Sequence, residues 1–518
     1  MKKLFALLAA LLMVFTLVGC GGNDTPTTTT EPVDTVNAVM TTAPVGLHPM
    51  KTNDSPSSHL CAQMFETLYV RSYDGASYYP LLAAEMPIMS EDGLTATIKL
   101  RDDVTFQNGD KFTTEAVAYM LDAAKDPNYG HMRASIVDSI VSYEIVDDYT
   151  INLNLAYNDG VLIAKLAHSN ACVVNPALDK TQDLLVNPAG AGTGPYQYVS
   201  SVTGSNYVLE AYEGYWGGAP EVKHVNFDVV ADEATVIARL QTGAADIYDT
   251  VSANAFNTVS AISGYTTKNE SASSIYYLAM RSNEESVLNP LMTNVEFRKA
   301  LIQAIDFDAF VAAMMDGKAT RSNSIVGPTL VGYTEAMEEA GIKYDAEAAK
   351  ATIDANGWAG QSVTMLTATR QWQQDLAVYI QAELAKVGIT LNIVSEEWAS
   401  FLATAKTEKC ADIVMLTWSN VTGDGHQMLE PNFSTKNGVR VRYNNAEFDA
   451  YVDAAAKTTV LEEREAHMLK AVEKIMGDAI VTPLYGVNQL YVYNSSKFDN
   501  VQMEKGGLFY IKDFTIVK

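Results

Sequence analysis

The chain has 518 residues, with 36 Lys and Arg against 62 Asp and Glu for a formal charge of −26. Nucleic acid and anionic lipid are both bound through basic patches, so this balance disfavours them as partners. Roughly 100 to 200 residues make a domain, which points to two or three domains, and a chain of this length buries enough surface to hold its own core.

The stretch MKKLFALLAALLMVFTLVGC sets Lys2 and Lys3 ahead of an apolar run from Leu4 to Val18, the charge-then-hydrophobe order of a secretory signal. A membrane-spanning helix needs about 20 apolar residues, and this run is shorter. Its ending, LVGC, resembles the bacterial lipobox, where small residues let a signal peptidase cut before a cysteine that receives diacylglycerol. The A-x-A site of an ordinary signal peptide is missing there. Residues 1–19 therefore read as a lipoprotein signal, and Cys20 as the lipidated residue anchoring an extracytoplasmic protein to the cell membrane. Residues 20–35, containing NDTPTTTTEPVD, are polar and Pro-punctuated with nothing to bury, and read as a flexible tether. Beyond Cys20, the cysteines Cys61, Cys172 and Cys410 stand far apart with no CxxC, so at most one disulfide is possible.

From Val36 onward, short apolar or alternating runs read as strands: VNAVMTT, LTATIKL, YTINLNL, NYVLEAY and HVNFDVV. Helical spacing recurs at Glu115 to Ala124, Asp232 to Thr242, Val295 to Ala313, Asp375 to Lys386 and Glu447 to Met476, the last broken near Thr458 and Thr459. Strand and helix alternate without repeats, which gives an α/β or mixed α+β class. Catalysis needs a nucleophile, base and stabiliser, or a metal, in one cleft. The sequence has no G-x-S-x-G, H-E-x-x-H, P-loop or EF-hand pattern. Gly190, Gly192 and Gly194 have the wrong spacing for a dinucleotide loop, and Pro195 with a strand-like YQYV denies the helix N-terminus that a pyrophosphate needs. These glycines read as a turn.

Several segments in order are similar to the family 5 extracellular solute-binding proteins, the peptide and nickel binders of ABC importers. They include Gly46 to Val70 with its Pro turn, and Tyr78 to Leu121 with P-x-L-A, an acidic-Gly turn and LR-x-x-V-x-F-x-x-G. GTGPYQYVS, YWGGAPEVKHVNF, RLQTGAADI, FRKALIQAIDFDAFV, AELAKVGITLNI and IVTPLYGVNQLYVYN follow. The resemblance implies an α/β, two-lobed periplasmic-binding-protein-like fold of type II, in the large family 5 variant. Lobe I would comprise 36–281 and 489–518, with an extra subdomain at about 68–188, and lobe II would span 282–488. It also implies a monomer without cofactor or catalysis that captures a solute by hinge closure and delivers it to an importer's permease subunits.

Carried over position by position, the resemblance implies a pocket built from Asn53, Asp54 and Ser55, from Tyr129, from Trp398 in SEEWASFL, from Thr417, Trp418 and Ser419 in DIVMLTWSN, and from Tyr485. Dipeptide-binding relatives take the ligand's ammonium with an aspartate after the second tryptophan and its carboxylate with an upstream arginine. Asp424 and Arg370 are the nearest equivalents. Ala405, Lys406 and Met415 replace residues that anchor longer peptides in the family, which favours a dipeptide or short oligopeptide as cargo. A metal chelate such as a nickel complex, an opine or a sugar stays open as an alternative, with His426 as the contact to a chelate; a surface hydrolase and an adhesin are the other readings weighed.

Overall fold

The computed structural model describes residues 34–518 apart from residue 421. The signal stretch, Cys20 and nearly all of the tether lie outside the described residues. One 12-stranded sheet runs through the molecule. Its strands are β1 (Thr35–Met40), β2 (Tyr196–Val202), β3 (Asn206–Ala211), β4 (His224–Val229), β5 (Ile247–Tyr248), β6 (Tyr265–Ser271), β7 (Ser274–Met280), β8 (Ala319–Arg321), β9 (Ser362–Ala368), β10 (Thr390–Glu396), β11 (Ile413–Ser419) and β12 (Val481–Asn494). Their spatial order is β10-β9-β11-β7-β12-β5-β1-β4-β3-β2, with β6 and β8 also pairing on β12.

Strand β12 joins two bodies. Its first residues, Val481 to Tyr485, pair antiparallel with β7, and its last, Asn488 to Asn494, pair with β6. The chain thus crosses between bodies twice, near 271–274 and near 485–488. Hydrophobic packing divides at the same places. One core gathers Val36, Leu60, Phe65, Phe112, Tyr196, Phe227 and Phe509. On the other side of the crossings, Phe401, Met428, Phe433, Phe448 and Met468 form a second core, and Phe297, Phe310, Ile380, Leu384 and Tyr485 a third.

The first crossing falls before β7, whereas the sequence placed the boundary after Arg281. Successive side chains of a strand point to opposite faces, and β7 uses both faces inside lobe II: Ile275, Tyr277 and Ala279 enter one core, Leu278 and Met280 the other. Strand β7 is thus covered on both sides by the second and third cores.

Within lobe I, strands Ile88–Met89, Thr95–Lys99, Ile140–Asp147 and Thr150–Leu155 form a separate four-stranded sheet. Ile151, Leu153 and Leu155 alternate inward from it, as the TINLNL pattern implied. Helix α1 (Ser55–Met64) begins where Asp54 accepts a hydrogen bond from the Ser57 N–H at 3.0 Å, with Pro56 in the first turn where its missing N–H costs nothing. At its other end, Gly192 and Gly194 approach so closely that a Cβ on either would overlap the Met64 backbone, which gives the glycine-rich turn a packing reason. The buried Gln63 side chain donates to Phe509 O at 2.9 Å and accepts from Ile511 N–H at 3.0 Å, tying the C-terminal tail to α1. The helical pattern of 295–313 resolves into two helices, Val295–Gln303 and Phe307–Met315. Asp306 caps the second by accepting from the Ala309 N–H at 2.9 Å, the breaking role aspartate plays in preference to a helix interior.

Candidate functional site: a cleft between the lobes

Several polar contacts hold the lobes face to face. The Tyr78 hydroxyl donates to Thr422 O at 2.7 Å, an Arg71 Nη donates to Thr329 O at 2.6 Å, and the Gly160 N–H donates to Ala456 O at 2.6 Å. Between these contacts lie two compartments, divided by the C-terminal end of β11. Strand alternation turns Thr417 and Ser419 toward one and Trp418 toward the other.

The first compartment, about 450 Å³, is bounded by Ser55, His59 and Asp249 from lobe I and by Tyr276, Thr417 and Ser419 from lobe II, with Asn488 and Lys505 at the crossing. His59 Nδ1 lies 2.9 Å from the Asp249 carboxylate. Tyr276 is stacked on Tyr485 with centroids 5.1 Å apart and meets the edge of Trp372 at 4.2 Å.

The second compartment, about 620 Å³, is lined by Arg133, Asp138 and Lys165 of lobe I and by Trp418, Asp424 and His426 of lobe II, among others. Asp424 is 1% exposed. Its carboxylate pairs with Arg464, a residue of helix α2 (Leu461–Gly477), and also accepts the His426 N–H at 2.8 Å. Burial works against the charge of Arg464, but Asp424 beside it holds the guanidinium firmly protonated. Burial pushes the His426 imidazole down to about 4, so it is neutral at pH 7.

The expected pocket residues are distributed unevenly. Ser55, Thr417 and Ser419 line the first compartment, and Trp418 and Asp424 the second. Asp54 is occupied as the cap of α1, and Asn53 Oδ1 accepts from Arg133 at 3.2 Å. Tyr129 lines neither compartment. Its hydroxyl donates to Asp179 at 2.6 Å and lies 3.1 Å from His48 Nε2, while Tyr119 donates to the same carboxylate at 2.7 Å. That network explains why the Asp179 carboxyl, despite burial, titrates well below the usual range: His48 and the two tyrosines bond its charged form.

Tyr485 is buried beneath Tyr276 and contributes to the site from behind. Arg370 and Trp398 form a pair of their own, the guanidinium 3.7 Å from the indole centroid and the indole stacked on Phe401; neither lines the compartments. Asp424 and Arg370 therefore do not face each other across a shared cavity as two terminal anchors would. The site also contains residues the sequence did not single out: His59, Asp249, Tyr276, Lys505, Arg133 and Lys165. For Tyr276 the SSIYYLAM alternation was a usable signal, because it puts Tyr276 and Tyr277 on opposite faces of one strand. Among the described residues no group of three or more His, Cys, Asp or Glu is arranged to hold a metal ion.

Comparison with known proteins gives consistent matches. Residues 77–439 match the family described as bacterial extracellular solute-binding proteins, family 5 Middle. Heme-binding protein A of Haemophilus influenzae is 26% identical over 460 residues, covering 82% of this chain and 81% of that protein. Glutathione-binding protein GsiB of Pectobacterium atrosepticum is 26% identical over 499 residues, covering 93% of each. The solved structure of HbpA2 from Haemophilus parasuis superposes with a TM-score of 0.85 at 22% identity, over 93% of this chain and all of that one.

Proposed function

This chain belongs to the family 5 bacterial extracellular solute-binding proteins, which bind and do not catalyse, and from that premise we propose that it captures a short peptide by closing its lobes and passes it to the permease of an ABC importer. The observation that carries the reading is that both compartments are bounded by both lobes. A solute seated there touches two bodies at once, so its binding energy goes into holding them closed, and closure is the signal a permease can read. Volumes of about 450 and 620 Å³ lie within the 300 to 1,000 Å³ range of small-ligand sites, where a few polar groups fix orientation among apolar walls. The mixture of hydroxyls, paired charges and aromatic faces suits a solute with both polar ends and side chains. Glutathione, named for one relative, is itself a small peptide and falls in this class.

The proposal includes attachment to the membrane through lipidated Cys20, supported by the LVGC sequence. Thermal unfolding in the presence of pooled di- and tripeptides tests the cargo class. A cognate peptide at 100 times its dissociation constant adds about 2.7 kcal/mol and is recovered intact by chromatography. Absence of stabilisation by any pool, or recovery of cleaved peptide, overturns the reading.

A further inference from the structure

Most of the polar groups around the second compartment are engaged, and two buried N–H donors are left over. Asp424 is neutralised by Arg464. Lys165 lies 2.7 Å from Asp138 and 2.8 Å from Asp159, and Asp159 also accepts the Ser139 hydroxyl. Asp453 pairs with Lys457 at 3.8 Å. Glu430 accepts from Asn437 Nδ2 at 2.5 Å and Asp449 from the Thr435 N–H at 3.0 Å. Two of the groups left unsatisfied can only donate. Arg133 Nε and Trp418 Nε1 are shut off from solvent and have no hydrogen-bond partner among the described residues. An indole N–H and a guanidinium N–H can only donate. His426 Nε2, lining the same compartment, is unpartnered as well. Arg133 makes no ion pair among the described residues, and burial works against its guanidinium's charged form, lowering its pKa.

Resting on the reading of this cleft as a solute site, we propose that the second compartment receives an anionic oxygen group of the solute, the carboxylate of a short peptide, between Arg133 of lobe I and Trp418 and His426 of lobe II. This reverses the polarity that the aspartate after the second tryptophan would suggest. A buried polar group without a partner costs free energy that a matching acceptor returns, and a carboxylate has two oxygens to offer donors arriving from opposite lobes. The anion is thereby a closing group. It pairs with the charge of Arg133 and bonds lobe I to lobe II, whereas an ammonium in the same place would face the Arg133 guanidinium and find Asp424 already paired.

Isothermal titration with trialanine, N-acetyl-trialanine and trialanine amide, on the parent protein and on Arg133→Gln, separates the two polarities. Amidation weakens binding by about tenfold or more, the scale of losing one partner of a hydrogen-bonded charge pair, and Arg133→Gln costs trialanine a similar factor but costs the amide little. Acetylation has a small effect at this compartment. A loss on acetylation with none on amidation, or equal losses in Arg133→Gln for acid and amide, overturns the assignment. If no trialanine derivative binds, the pooled-peptide unfolding test decides the peptide reading separately, and a second probe decides the polarity. Tryptophan emission, taken as the difference between the parent and Trp418→Phe, is titrated with N-acetylglycine and with glycinamide. A saturable response to the anion alone supports the assignment; a response to the cation, or to neither, overturns it.

Discussion

Replacing Gly160 with alanine isolates closure from folding. Gly160 sits in lobe I, yet the nearest atoms to a Cβ built on it are the Thr458 carbonyl and Ala456 O at 3.2 Å, all in lobe II. The new methyl would press into the Thr458 carbonyl oxygen and push aside the 2.6 Å bond from Gly160 N–H to Ala456 O. Losing that bond costs about 1 kcal/mol, and an overpacked contact that cannot relax costs about 1 to 3 kcal/mol more. Separation of the lobes relieves both, so the penalty of about 2 to 4 kcal/mol falls on the closed state alone. Apparent affinity divides by the closed fraction, which predicts binding about 30 to 1,000 times weaker. The free energy of unfolding without solute should stay within about 0.5 kcal/mol of the parent. Titration calorimetry and urea unfolding measure the two quantities separately. Unchanged affinity would show that this contact is no part of the bound state, and a parallel loss of stability would show that the substitution damages lobe I itself.

Asp424→Ala leaves Arg464 buried without its partner, and such breaks cost about 3 to 5 kcal/mol; urea unfolding near the parent's midpoint would refute a structural role for the pair. Burial pushes His131 down to about 4 and His168 to about 3, against an ordinary value near 6.5. Both are neutral in the folded protein while the unfolded chain takes up protons below 6.5, so stability is full above that pH and falls on acidification toward 4. The slope is about 1.4 kcal/mol per pH unit for each histidine, and flat stability between pH 7 and 5.5 would contradict it. Cys20→Ser should abolish labelling by a radiolabelled fatty acid and block normal processing, and equal labelling would exclude Cys20 as the anchor.

Much of the fold was legible because it is written in local patterns. TINLNL alternates in the sequence and in the strand at Thr150–Leu155. The break read near Thr458 separates helices Ala446–Ala456 and Leu461–Gly477. What local pattern cannot encode is the company a residue keeps across the fold. Asp424 reads as an anchor until Arg464, 40 residues away, turns out to occupy its carboxylate. Tyr129 reads as a pocket aromatic until Asp179, 50 residues on, takes its hydroxyl. Likewise the resemblance set the boundary after Arg281, and only pairing with β11 and β12 shows what covers β7.

Solute capture between closing lobes is tested most directly by native mass spectrometry of freshly purified protein mixed with a peptide pool. One solute per chain, released unaltered on mild activation and much depleted in Gly160→Ala, is the result expected. A chain that keeps its bare mass with every peptide, or that releases cleaved products, would contradict the account.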